Sequence, residues 1–129
     1  MFSSILSYFS ATSSIQEKNP VGTHLILNLY DVSETLLTDI KIGKPLLDKI
    51  VKELKLTVVS ETGHQFQPYG YTYAFVLSES HFTIHTYPEL KSCYIDIFCC
   101  NKEFNPKSAT NFIKFIFNTD SSKSESILR

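Results

Sequence analysis

Residues 71–100 read YTYAFVLSESHFTIHTYPELKSCYIDIFCC, and the pattern along them decides the fold. Tyr71, Tyr73, Phe75 and Leu77 alternate with smaller or more polar neighbours, as a strand with one buried face should. Phe82, Thr83, Ile84, Thr86 and Tyr87 are β-branched or aromatic and predict a second strand over about 81–87. Pro88–Lys91 marks a turn, and a third strand follows over 92–100. Strands this short, joined by tight turns, read as antiparallel neighbours.

Outward from this block, residues 24–30 (HLILNLY) predict a strand buried on both faces. Pro45 suits the first turn of a helix, and Leu46, Leu47, Ile50, Val51 and Leu54 then recur at helical spacing. A strand is expected over 56–62, and the punctuated stretch His64–Gly70 reads as a loop or strand end. Asn105-Pro106 opens a second helix with Ala109, Phe112, Ile113 and Ile116 on its apolar face. A last strand is expected over about 124–129. The order β-α-β-β-β-β-α-β predicts an α+β two-layer sandwich, a mainly antiparallel sheet with helices packed on one face.

The 129 residues suffice for one domain, and 43% hydrophobic content argues against disorder. Residues 1–20 read as an N-terminal extension of uncertain order and 21–129 as the single domain. A net charge of −1 marks no nucleic-acid or anionic-membrane partner. No apolar run approaches the roughly 20 residues needed to span a bilayer. The three cysteines, Cys93, Cys99 and Cys100, do not read as a disulfide framework. Reduced thiols suit a cytoplasmic protein. On the strand over 92–100, Cys93, Ile95, Ile97 and Cys99 share one face and Tyr94, Asp96, Phe98 and Cys100 the other. The first face is the more apolar, which makes Cys99 structural and leaves Cys100 for chemistry.

Glu79-Ser80-His81-Phe82-Thr83-Ile84-His85-Thr86-Tyr87-Pro88-Glu89 carries more ionisable groups than packing requires. Taken singly, its residues have plain readings. Ser80 suits a turn, His85 a satisfied core position and Glu89 an exposed turn. His81 and His85 would share a strand face, but no second tight ligand pair or C-x₂-C spacing accompanies them, so no metal is expected.

The whole string is far more specific. Glu-Ser-His, a hydrophobic residue, Thr-Ile-His-Thr, an aromatic, then Pro-Glu resembles the self-cleavage segment of the small prokaryotic-type S-adenosylmethionine decarboxylases. His64–Gly70 resembles the loop that precedes it there. The resemblance implies cleavage between Glu79 and Ser80, with Ser80 becoming a pyruvoyl cofactor. Chemically, the Ser80 hydroxyl would attack the Glu79 carbonyl and turn amide into ester. A base would then remove the serine Cα proton, and elimination and hydrolysis would leave the ketone. The resemblance implies catalytic roles for His85 as base and Cys100 as proton donor. It gives Thr72, where the family has a serine, a part in processing. It also implies that Phe66 stacks on the adenine and Glu89 binds the ribose hydroxyls. Phe66 has a competing reading as a core aromatic.

The expected activity is decarboxylation of S-adenosylmethionine to supply the aminopropyl donor for spermidine synthesis. A homodimer is expected too, because the family builds its sites between subunits. Asn28, Asp31 and Gln67 depart from the family pattern, so arginine or ornithine stay open as substrates. A non-catalytic regulatory subunit is a further alternative, disfavoured because Ser80, His85 and Cys100 are all present. Ser80 and His85 lie five positions apart and would face opposite ways on a regular strand. An irregular backbone is therefore expected over 78–81.

Overall fold

A computed structural model describes residues 19–129. The extension expected over 1–20 lies, up to residue 18, outside the described residues. The elements are β1 (Thr23–Leu29), α1 (Thr35–Thr38), α2 (Ile40–Glu53), β2 (Val58–Gln65), β3 (Tyr71–Leu77), β4 (Ser80–Tyr87), β5 (Ser92–Cys99), α3 (Pro106–Ile116) and β6 (Ser122–Leu128). The strands form one sheet in the order β2-β3-β4-β5-β1-β6. Every neighbouring pair is antiparallel. The α+β two-layer expectation is met: the helices cover one face.

Strand alternation decides which face they cover. Leu25, Leu27 and Leu29 of β1, Phe82 and Ile84 of β4, and Cys93, Ile95, Ile97 and Cys99 of β5 are all buried. They pack against Leu37, Leu47, Ile50, Ala109, Ile113 and Phe117. Burying side chains of the size of Phe82 or Ile84 contributes about 1.5–3 kcal/mol each. Residues of the other parity, His24, Ile26, Asn28, Thr83, His85, Tyr94 and Asp96, lie on the face without helices and are half-buried or exposed.

The structure changes some boundaries. Helix α2 starts at Ile40, so Pro45 lies inside it and not in its first turn. The start is set by Asp39, whose carboxylate accepts the Lys41 N–H at 2.8 Å. Strand β2 runs over 58–65 where 56–62 was expected. Lys55 takes a left-handed conformation (φ 56°) and the Leu56 N–H still bonds the Val51 carbonyl, so the chain is leaving the helix at 56. At its other end β2 continues because Gln65 pairs with Tyr71. Strand β6 begins at 122, extended by backbone pairing of Ser122 with Leu29. Gly43 is buried where α2 crosses the Tyr71 ring, and a Cβ there would collide with that ring and its hydroxyl. Tyr71 Oη in turn donates to the Leu36 carbonyl at 2.8 Å.

Candidate active site

The chain bends at Ser80. Strands β3 and β4 join through Ser78 and Glu79, with Leu77 paired to Ser80. Ser80 has φ 141°, a backbone conformation that L side chains rarely adopt. Hairpins with a bulge usually place glycine at the residue that follows the turn. The expected irregularity over 78–81 is therefore present, centred on the hydroxyl-bearing residue itself.

The Glu79 main chain is held firmly. Its carbonyl accepts the Cys100 N–H at 2.9 Å. Its carboxylate accepts the Thr57 N–H at 2.9 Å, and the Ser78 N–H bonds the Thr57 carbonyl at 2.9 Å. Burial pushes the Glu79 carboxyl upward, but the Thr57 hydrogen bond outweighs it and holds the group below the usual carboxylate range. Cys100 is exposed just past the end of β5, while Cys99 is buried among core residues. Burial raises the Cys99 thiol, so it stays protonated, in keeping with a packing role.

The other named residues gather elsewhere. Thr72 and His85 are paired across β3 and β4, and Thr72 Oγ1 lies 3.0 Å from His85 Nδ1. Phe66, Thr72, His85 and Glu89 line one groove of about 360 Å³. Phe66 is 47% exposed, which removes its reading as a core aromatic. Thr86 anchors the floor: its hydroxyl accepts the Tyr71 N–H at 2.8 Å and donates to the Leu37 carbonyl at 2.7 Å.

Ser80 and Cys100 do not line this groove. Ser80 and His85 are five positions apart, roughly 17 Å along β4 at the usual rise. The bend at Ser80 thus does not bring the two together within one chain. The residues fall into two halves: Glu79, Ser80 and Cys100 at one end of β4, and Phe66, Thr72, His85 and Glu89 at the other. His81 and His85 also stay apart, and His81 turns instead toward Asp96.

Gln65 has no chemical signature in the sequence, yet it organises the Phe66 loop. Its Oε1 accepts the Ile40 N–H at 2.7 Å. Its Nε2 donates to the carbonyls of Thr38 (2.9 Å), Phe66 (3.0 Å) and Gly70 (2.9 Å). One amide therefore ties the loop to the junction of α1 and α2. Only the punctuation at Pro68 and Gly70 hinted that the loop needed such an anchor.

At one end of β4 stands a strained serine behind a held carbonyl, and at the other a groove with an imidazole and a carboxylate. The family model described as S-adenosylmethionine decarboxylase matches residues 23–129. The S-adenosylmethionine decarboxylase proenzyme of Thermodesulfovibrio yellowstonii is 34% identical over 93 residues, covering 72% of this chain and 69% of that protein. The proenzyme of the same name from Clostridium botulinum is 36% identical over 93 residues, covering 72% and 80%. The crystal structure of the adenosylmethionine decarboxylase from Aquifex aeolicus superposes with a TM-score of 0.80 at 28% identity, covering 87% of this chain and 92% of that one. The chain belongs to the S-adenosylmethionine decarboxylase family. No helix among the described residues is long and apolar enough to cross a membrane.

Proposed function

We propose that this chain is a proenzyme that cuts itself between Glu79 and Ser80 and decarboxylates S-adenosylmethionine with the pyruvoyl group so formed. The product would serve as the aminopropyl donor for spermidine synthesis. The observation that carries the reading is the pairing of φ 141° at Ser80 with the Cys100 N–H on the Glu79 carbonyl. A hydrogen bond on that oxygen polarises the carbonyl and stabilises the oxyanion that forms when Ser80 Oγ attacks. Strain at Ser80 is released as the amide becomes an ester. Removal of the Ser80 Cα proton then breaks the ester Cβ–O bond. Glu79 leaves as a carboxylate, and hydrolysis of the dehydroalanine releases ammonia. The pyruvoyl group supplies an electron sink for loss of CO₂.

His85 is the base, with Thr72 Oγ1 at 3.0 Å from Nδ1 fixing its ring. Cys100 is the proton donor to the substrate carbon. Phe66 stacks on the adenine, and Glu89 accepts from the ribose diol. Because His85 lies roughly 17 Å along the strand from Ser80, the two halves that form one site belong to different subunits. A two-fold dimer that sets the Ser80 end of one chain against the His85 end of its partner completes both sites at once.

Intact mass after denaturation tests the reading. Fragments 1–79 and 80–129, the second lacking an amine at its N-terminus, are expected together with CO₂ release from S-adenosylmethionine. A single uncut chain with full activity, or release only from arginine or ornithine, refutes it. Mixing Ser80→Ala with His85→Ala, each inactive alone, tests the shared site: activity should reappear in the mixture.

A further inference from the structure

A second cluster lies on the face of the sheet without helices. His24 of β1 and His81 of β4 both pair with Phe98 of β5, so the two imidazoles flank one position from either side. Asp96 stands two residues along β5 on the same face and reaches back between them. Asp96 Oδ2 is 2.9 Å from His24 Nε2 and 3.5 Å from His81 Nε2. The three ligand atoms all lie within 4.8 Å of one another. Thr83 Oγ1 donates to the other carboxylate oxygen, which orients Oδ2 toward the rings.

The geometry points to a binding site for a divalent transition-metal ion of the zinc class, held by His24 Nε2, His81 Nε2 and Asp96 Oδ2. Bonds of about 2.0–2.1 Å to nitrogen and oxygen place tetrahedral ligands about 3.4 Å apart, and the observed spacings of 2.9 and 3.5 Å bracket that edge. Two imidazoles with one carboxylate suit such an ion better than calcium or magnesium, which prefer all-oxygen shells. Three protein ligands leave at least one position for water. The third spacing, between the two imidazole nitrogens, is at most 4.8 Å and must shorten to close the shell.

Arg129 competes with the ion. Its Nη1 lies 3.1 Å from His24 Nδ1 and its guanidinium sits 5.1 Å from the Phe98 ring centre. Arginine only donates, so Nδ1 is the acceptor and the His24 proton sits on Nε2, facing Asp96. Metal at Nε2 requires that proton to move to Nδ1, and Arg129 to let go. The ion would join β1, β4 and β5 beside Ser80. On the proposed cleavage it would also tie His24 of fragment 1–79 to His81 and Asp96 of fragment 80–129. That consequence rests on the proposed function; the binding itself does not.

Cobalt(II) chloride titrated into metal-free protein, followed by visible absorption and by equilibrium dialysis with zinc, tests the site. One ion per chain is expected, with the ligand-field bands of a four- or five-coordinate centre. Affinity should fall at least ~10-fold in Asp96→Asn and in His81→Gln, each checked for fold by circular dichroism. His85→Gln and Cys100→Ser, outside the cluster, should bind as the parent does. Arg129→Gln alters an exposed side chain and should bind several-fold more tightly. Ser80→Ala, which stays uncut, should bind equally, so failure of the cleavage reading leaves this one standing. No uptake, uptake that survives loss of both His81 and Asp96, or unchanged affinity in Arg129→Gln overturns the proposal.

Discussion

Replacing Gln65 with alanine removes the amide that ties the Phe66 loop to the helical layer. The side chain accepts one hydrogen bond and has two N–H groups to share among three carbonyls, so about three full bonds are lost. At a net value near 1 kcal/mol each, the ceiling is about 3 kcal/mol. Not all of that is lost outright. The Thr38 carbonyl keeps the Gly70 N–H at 2.9 Å, and the Gly70 carbonyl keeps the Phe66 N–H at 2.8 Å. The Ile40 N–H, at the start of α2, has no replacement. A loss of about 2 kcal/mol is therefore expected. It would appear as a lower urea midpoint at unchanged slope. On the proposed role of Phe66 in stacking on the adenine, releasing it removes binding that is equal in ground and transition states, so KM for S-adenosylmethionine should rise by about tenfold with kcat nearly constant. Gln65→Met, which fills the space without the bonds, should behave like alanine. A stability change under about 0.5 kcal/mol with unaltered KM would refute the argument.

Ser80→Ala should remain one chain by intact mass, and Ser80→Gly likewise. The glycine variant should be the more stable of the two by about 1 kcal/mol in urea, since glycine accepts φ 141° without strain; equal midpoints would mean the serine backbone stores nothing. Gly43→Ala should cost about 3 kcal/mol, because the new methyl meets the immobile Tyr71 ring. Glu79 titrates below its unfolded value, so its contribution is present above the unfolded pKa and disappears as pH falls through the folded one. In a Ser80→Ala background, Glu79→Gln should therefore lower thermal stability at neutral pH and make no difference in acid; a pH-independent gap would show that the carboxylate charge is irrelevant.

The central strands were legible because each has one buried face and so a clean period of two. The face assignment of β5 follows from composition alone, and Cys99 is buried with the apolar face while Cys100 is exposed. Strand β6 carries a weaker signal. It is an edge strand of serine, lysine and glutamate, mostly exposed and held chiefly by backbone pairing to β1, which leaves no side-chain pattern. The start of α2 is marked by the cap bond of Asp39 and not by Pro45, which sits in the interior of the helix. The candidate site divides the same way. Phe66, Thr72, His85 and Glu89 were identifiable from their motif and do converge on one groove. Gln65 and the Cys100 amide were not, because both act through hydrogen bonds to main-chain groups, and bonds of that kind leave no trace in residue type. The five-residue offset between Ser80 and His85 is plain in the sequence, and the straight run of β4 makes it a distance and not merely a matter of facing.

The sheet order has a consequence for a chain that cuts itself at residue 79. Fragment 1–79 would contribute β1, β2 and β3, and fragment 80–129 would contribute β4, β5 and β6. In space they read β2-β3, then β4-β5, then β1, then β6. The first strand of one fragment is threaded between two strands of the other. The uncut chain can assemble this weave in a single unimolecular event. The cut protein would have to do so by encounter of two separate molecules, each with no more than a two-stranded hairpin of its own. Maturation would therefore act as a ratchet: Ser80→Ala should refold after dilution from urea at a rate independent of concentration, whereas processed protein should recover slowly, in a concentration-dependent way, or not at all.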